Sequence, residues 1–312
     1  MTQGRRIAEG GVLLAIFSLM IFLSIQIPIL GIILIFFMPV PFILFAAKNT
    51  VSWSVGFVFI SALLATLFGT LVAAPTAIMI GLMGITVGSF INRNKQALDT
   101  YIAAVLVFLV TVILFYGAAA IFFDFNIVKI SMDMTRDAIL QSQEIMKNLG
   151  QPVNKVILER FDAAMKLAQT LLPSLIVVSS MIMVMLFFYA SNPLVKRFSG
   201  KRIALLAFRE IRLPKSLLWY YLIVMGATYF INPAPEQFSY TVLMNLLFML
   251  QFFMLLQGYS FIFYFCHEKK WAKALPISIT FLSLIMPILL FFVRFLGIID
   301  LGFNLREKIQ KK

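Results

Sequence analysis

Between residues 12 and 123, and again between 171 and 299, the chain is written in long apolar runs separated by short breaks. About 20 consecutive apolar residues cross roughly 30 Å of hydrocarbon, and a water-soluble domain has no use for such runs one after another. The runs are continuous rather than alternating, which predicts helices and not the strands of a barrel. Composition agrees: 62% of residues are hydrophobic and 12% charged, against about 25% charged in soluble domains. The reading is all-α, a polytopic transmembrane helix bundle.

One stretch breaks the pattern. Residues 124–170 set acids such as Asp133, Asp137 and Asp162 against bases such as Arg136, Lys155 and Lys166, and could stand in water. They divide the chain into an N-terminal transmembrane block, 1–123, an extracytoplasmic helical hairpin, 124–170, and a C-terminal transmembrane block, 171–312, with a basic cytoplasmic loop at 192–215. The predicted spans are 12–27, 29–47, 52–72, 75–91, 101–123, 171–189, 216–231, 238–265 and 275–299, about nine in all by the length that a bilayer requires. Pro39 and Pro41 distort the second, because proline supplies no backbone N–H.

Orientation follows from the bases. With the N-terminus cytoplasmic, Lys48, Arg93 and Lys95, the 192–215 loop and the Lys269–Lys273 turn all fall inside, and the charge-balanced insert falls outside, as the retention of Lys and Arg on the inner side requires. An odd span count leaves the tail bases Arg306, Lys308, Lys311 and Lys312 outside, unless Pro287 breaks the last run into a re-entrant pair. The net charge of +13 then reads as anchoring to an anionic inner leaflet and not as nucleic-acid binding.

Within this frame a few residues stand out. Ala77, Gly81, Gly84 and Gly88 lie on one narrow face of the fourth span, a helix-packing seam of the kind small residues make in lipid. In the insert, Ile130, Met134, Ile145 and Leu149 mark one apolar face, and Val156, Ile157, Phe161 and Met165 another; the two are expected to face each other or the membrane surface. The 203–213 segment mixes apolar and basic residues, which predicts a short helix in the headgroup layer. Arg202, Arg209, Arg212 and Lys215 are candidates for contact with lipid or a cytoplasmic coupling partner.

Polar groups inside spans are functional candidates by default: here Gln26, Asn245, Gln251, Gln257 and Arg294. Asn245, Gln251 and Gln257 recur every six residues and so point to three faces of one helix. Ser239, Gln257 and Tyr264 share one face, and Thr241, Asn245 and Tyr259 another. Arg294 lies near the end of its run, within reach of the interface through its long stem. Gln26, with Tyr116 and Asp124, is placed at an outer vestibule.

No phosphate-binding loop, dinucleotide fingerprint, zinc-protease helix or paired-cysteine site occurs. The single cysteine, Cys266, and the single histidine, His267, stand beside Glu268, but adjacent residues on a helix point in different directions. The expectation is no catalytic residue, no metal site and no cofactor.

The segment Phe208-Arg209-Glu210-Ile211-Arg212-Leu213-Pro214-Lys215, followed by Ser216-Leu217-Leu218-Trp219, resembles the YybS-like family of bacterial multi-pass membrane proteins. That family is itself distantly similar to the substrate-binding membrane subunits of energy-coupling-factor vitamin transporters and to the shape-determining MreD proteins; the glycine-seamed span ending in Asn92-Arg93-Asn94-Lys95 is similar to that grouping. The vitamin-binding subunits have fewer spans, and their small-residue contact in the first span is matched only by Gly11 and Ala15. The resemblance implies a bacterial plasma membrane and a fold, and carries no ligand residue over. The expected function is a transporter-like subunit that binds a small-molecule solute from outside, in a cavity between spans roofed by residues 124–170. The alternative is a non-transporting scaffold that grips a partner through the hairpin or the basic loop.

Overall fold

In hydrocarbon each backbone N–H and C=O must find its partner within the segment, so an apolar run that crosses a membrane has little choice but helix. The computed structural model describes residues 3–123, 127–149, 155–203, 205 and 207–310, and among them there is no strand. The helices are α1 (Gln3–Gln26), α2 (Pro28–Leu34), α3 (Pro39–Ala46), α4 (Val51–Phe68), α5 (Ala73–Asn92), α6 (Ala97–Phe123), α7 (Ile127–Asn148), α8 (Lys155–Ser199), α9 (Ser216–Ile231), α10 (Phe238–Glu268), α11 (Ala274–Ile285), α12 (Pro287–Phe303) and α13 (Leu305–Gln310). Seven helical stretches among the described residues are long and apolar enough to cross a membrane. The remaining apolar helices are shorter. At about 1.5 Å per residue, the 16 residues of α9 fall short of the hydrocarbon thickness. The run at 275–299 folds not as one helix but as α11 and α12, broken at Pro287.

The chain forms two compact units, residues 1–127 with 179–205 and residues 128–178 with 206–312. The first is organised around α3, every residue of which is buried. Proline starts both α2 and α3, and a 3-10 turn at Ile35–Phe37 separates them, so the expected second span is a broken one. α3 packs on α5 through the seam. A Cβ on Gly84 would stand 2.7 Å from the Cβ of Phe42, and one on Gly88 would stand 2.7 Å from the Cβ of Ala46. Small residues are what allow the approach. Phe42 meets Phe17 edge to face at 4.9 Å and Phe57 at 5.4 Å, geometry that aromatic quadrupoles prefer.

The second unit is centred on α10. α10 and α12 cross at two glycines: a Cβ on Gly258 would collide with the carbonyl of Val293, and one on Gly297 with the carbonyl of Met254. α7 meets α8 through an Arg136–Asp162 ion pair of 3.5 Å and a Gln169 Nε2 contact to Met132 Sδ of 3.3 Å.

Three expectations change here. α8 runs unbroken through residues 170 and 171, so the insert and the sixth span share a single helix. The expectation for the insert's apolar faces narrows: Ile130, Met134, Ile145 and Leu149 of α7 and Val156 and Ile157 of α8 are exposed and so not buried against the other arm, while Phe161 and Met165 are half-buried, and the alternative of a face turned to the membrane surface stands. The 203–213 segment is not a surface helix. Apart from a 3-10 turn at Phe208–Glu210, its described backbone is non-helical, with Ala207 and Ile211 in the extended region; its backbone groups are bonded from outside, as set out below, and Pro214 disfavours helix in the residue before it. The hairpin tip at Gly150–Pro152 and the vestibule residue Asp124 lie outside the described residues.

Candidate functional site

The chemistry of the second unit gathers where α10, α12 and α13 meet the segment 207–215. α12 ends at Asn304, whose left-handed backbone (φ 48°) reverses the chain. The short α13 therefore carries Arg306 back against Asp300, the last acid of α12. Arg306 Nε donates to Asp300 Oδ2 at 3.0 Å, and the two residues are 2% and 4% exposed. Asp300 Oδ2 also accepts from Nε2 of Gln257, itself buried. A charge this far from water is tolerated only when paired and hydrogen-bonded, and this pair is both.

The rest of the network reaches outward. Arg306 Nη1 donates to the carbonyl of Arg209 at 2.8 Å, and Nη2 to Ser260 Oγ at 3.0 Å. The Ser260 hydroxyl lies 2.8 Å from the Phe208 carbonyl and 2.9 Å from that of Ile211, and its one proton serves one of them at a time. Gln257 Oε1 accepts from the Leu213 N–H at 3.0 Å. Four backbone groups of the 207–215 segment thus rest on three buried side chains of α10 and α13. The Arg306 guanidinium also lies over the ring of Tyr264, 5.3 Å from its centre, so of two residues that share a face in the sequence, Tyr264 contacts the arginine of the buried pair and Gln257 its aspartate.

Above the pair opens a cleft of about 390 Å³, with Gln257, Asp300 and Arg306 in its lining and Arg212, Lys215 and Glu307 contributing further charge. Arg212 and Lys215 are exposed. The cleft therefore combines an exposed cationic side, a single exposed acid and a buried ion pair. It has the polar groups to fix the orientation of a small charged molecule.

Asn245 does something different. Its Oδ1 accepts from the backbone N–H of Ser174 at 3.0 Å, and its Nδ2 donates to the Thr170 carbonyl at 2.7 Å and to the Thr241 carbonyl at 2.8 Å. Thr170 and Ser174 hold the two backbone groups that pair with each other in an uninterrupted helix. Pro173 stands between them, and a proline inside a helix disturbs that pairing. Asn245 is spliced into the ladder at the break and lets α8 continue. Tyr259, on the same face, bonds the Ser283 hydroxyl of α11 at 2.7 Å.

The other sequence candidates lie elsewhere. Gln251 joins neither set of hydrogen bonds, and Gln26 is exposed at the end of α1. Arg294 is half-buried in α12, with its Nε lacking a partner among the described residues. Arg202 belongs to the first unit, while Arg209, Arg212 and Lys215 belong to the second. The seam residues Ala77, Gly81, Gly84 and Gly88 pack the first unit. Sequence reasoning passed over Asp300, Ser260 and the pairing of Arg306. One signal was legible: an aspartate inside the apolar run Gly297-Ile298-Ile299-Asp300-Leu301 needs a cation, and Arg306 is the nearest one downstream.

Comparison with known proteins agrees with this membrane architecture. The profile of the family described as "Predicted membrane protein (DUF2232)" matches residues 15–301. The chain belongs to that family. A DUF2232 match of this extent takes in everything from the middle of α1 to the end of the α10–α12 crossing, including Asp300. The "Uncharacterized protein YybS" of Bacillus subtilis (strain 168) is 28% identical over 313 residues, covering 99% of this chain and 100% of that relative. The likeness to YybS expected from the 208–219 segment is thus a full-length one. No solved structure matches.

Proposed function

We propose that this DUF2232 protein is a non-enzymatic, transporter-like subunit of the bacterial plasma membrane, that a small solute binds in the cleft over Asp300 and Arg306, and that the N-terminus is cytoplasmic. The observation that carries the reading is the cleft itself, whose described lining takes no residue from 124–170, so the roof expected over an outer cavity is not part of it. Its volume of about 390 Å³ lies within the roughly 300–1,000 Å³ usual for small-molecule sites. Its lining pairs the exposed cations Arg212 and Lys215 with Glu307, which suits an anionic or zwitterionic solute: a carboxylate or phosphate at the basic side, a donor at Glu307. The buried pair beneath fixes the position of the 207–215 backbone, so the basic side is organised before a ligand arrives. Ligand-induced thermal stabilisation of the purified protein, read across a panel of charged metabolites, tests this. A compound that raises Tm in the wild type and loses its effect in K215A/E307A is expected. A panel without any such compound, or one whose hit is untouched by K215A/E307A, overturns the reading.

A second reading has its own support. Arg209 lies outside the cleft lining, and its carbonyl is held by Arg306, so the 207–215 segment presents Arg209 and Arg212 on a fixed backbone that a cytoplasmic partner would grip. In that case a protein co-purifies with the wild type and is lost from R209A/R212A, while K215A/E307A keeps it.

A further inference from the structure

The first unit holds a basic cleft that the solute reading does not use. It has a volume of about 570 Å³, and its lining includes Lys95, Lys196, Lys201 and Arg202, with Asn94 and Thr100. Among the described residues no acid lines it; the nearest acid in sequence, Asp99, is not part of the wall. None of the four cations forms an ion pair among the described residues.

Two helix ends build it. α5 stops in a turn in which Asn94 takes the left-handed conformation (φ 50°) and the Lys95 N–H reaches back to the Phe90 carbonyl at 3.0 Å. α8 stops at Gly200 (φ 70°). Beyond it the Lys201 N–H donates to Ser199 Oγ at 3.1 Å and the Ile203 N–H to Asn192 Oδ1 at 3.0 Å, while the Ile203 side chain is buried. The loop is folded back against its own helix, and Lys201 Nζ donates to Asn92 Oδ1 at 3.3 Å, joining the two helix ends. Four cations are thus held around one concavity at the cost of mutual repulsion. They sit where the apolar stretches of α5 and α8 give way to charge, the level at which lipid phosphates lie.

We propose that this cleft binds a phosphate-bearing anion, either the headgroup of an anionic phospholipid or a free phosphorylated solute. The full chain, in nanodiscs of phosphatidylcholine with 10% phosphatidylglycerol or cardiolipin, is released into native mass spectrometry and the retained lipid counted. The expected result is retention of anionic lipid by the wild type and a loss of about tenfold in K196Q/R202Q, a pair that spares the Lys201–Asn92 contact. K269Q/K273Q removes the same charge from the second unit's basic turn and is expected to change retention less than twofold. In a parallel arm, inorganic pyrophosphate is added to protein in pure phosphatidylcholine discs. A wild-type Tm rise lost in K196Q/R202Q assigns the site to free phosphates instead of headgroups. Equal lipid loss in the two double variants, or no response to either probe, overturns the proposal.

Discussion

At the residue scale, the deciding group is Asp300. Its carboxylate accepts from both Gln257 and Arg306, so removing it strands a buried guanidinium. Breaking a buried ion pair from one side costs about 3–5 kcal/mol, whereas replacing both partners with apolar residues is often close to neutral. D300A is therefore expected to lower stability by about 3 kcal/mol or more, and D300L/R306L to recover much of that loss, with thermal unfolding in detergent as the measurement. The recovery is incomplete because Arg306 also satisfies the Arg209 carbonyl and Ser260. A double variant no more stable than D300A shows that those outward bonds, and not the ion pair, are what the protein depends on.

At the scale of an element, α8 is informative because it contains the means of its own interruption. Pro173 disturbs the ladder, and Asn245 of a neighbouring helix takes up the Ser174 N–H and the Thr170 carbonyl. N245A leaves both unpaired and is expected to cost about 1–3 kcal/mol. Adding P173A restores the helix's own bond, so N245A/P173A recovers most of the loss; a double variant as unstable as N245A alone shows that the splice does not carry the effect. The apolar run from 171 announced a helix, and Pro173 lies two residues into it. Whether a proline sits in a first turn or mid-helix depends on the residues before it, and 155–170 were hydrophilic enough to read as a separate hairpin arm. The α10–α12 crossing went unread for a related reason. Gly258 and Gly297 are isolated glycines on two helices, and only their meeting makes them a contact.

For the whole molecule, the open question of the sequence was the side on which the tail lies. Pro287 splits the last run, and Arg306 bonds the carbonyl of Arg209 in the basic segment. Tail and basic segment thus belong to one side of the second unit, which removes the conflict an odd count of full spans created. In a C266S background, maleimide labelling of K215C and K308C in intact cells is expected to fail for both until the membrane is permeabilised, and E144C to label at once. Opposite behaviour of K215C and K308C contradicts the pairing. Labelling of both from outside inverts the membrane orientation and moves the cleft to the outer face.

The membrane class and the helical fold were already determined by the sequence, because hydrocarbon leaves a long apolar run with one economical structure. The packing seam of α5 could be read for the same reason, its small residues being periodic along a single helix. What only the tertiary structure decided is which distant polar groups meet. Asp300 and Gln257, or Asn245 and Ser174, are separated by dozens of residues and obey no local period. Their partners are fixed by how the helices cross and by the reversal at Asn304, geometry that depends on all the contacts of the unit at once.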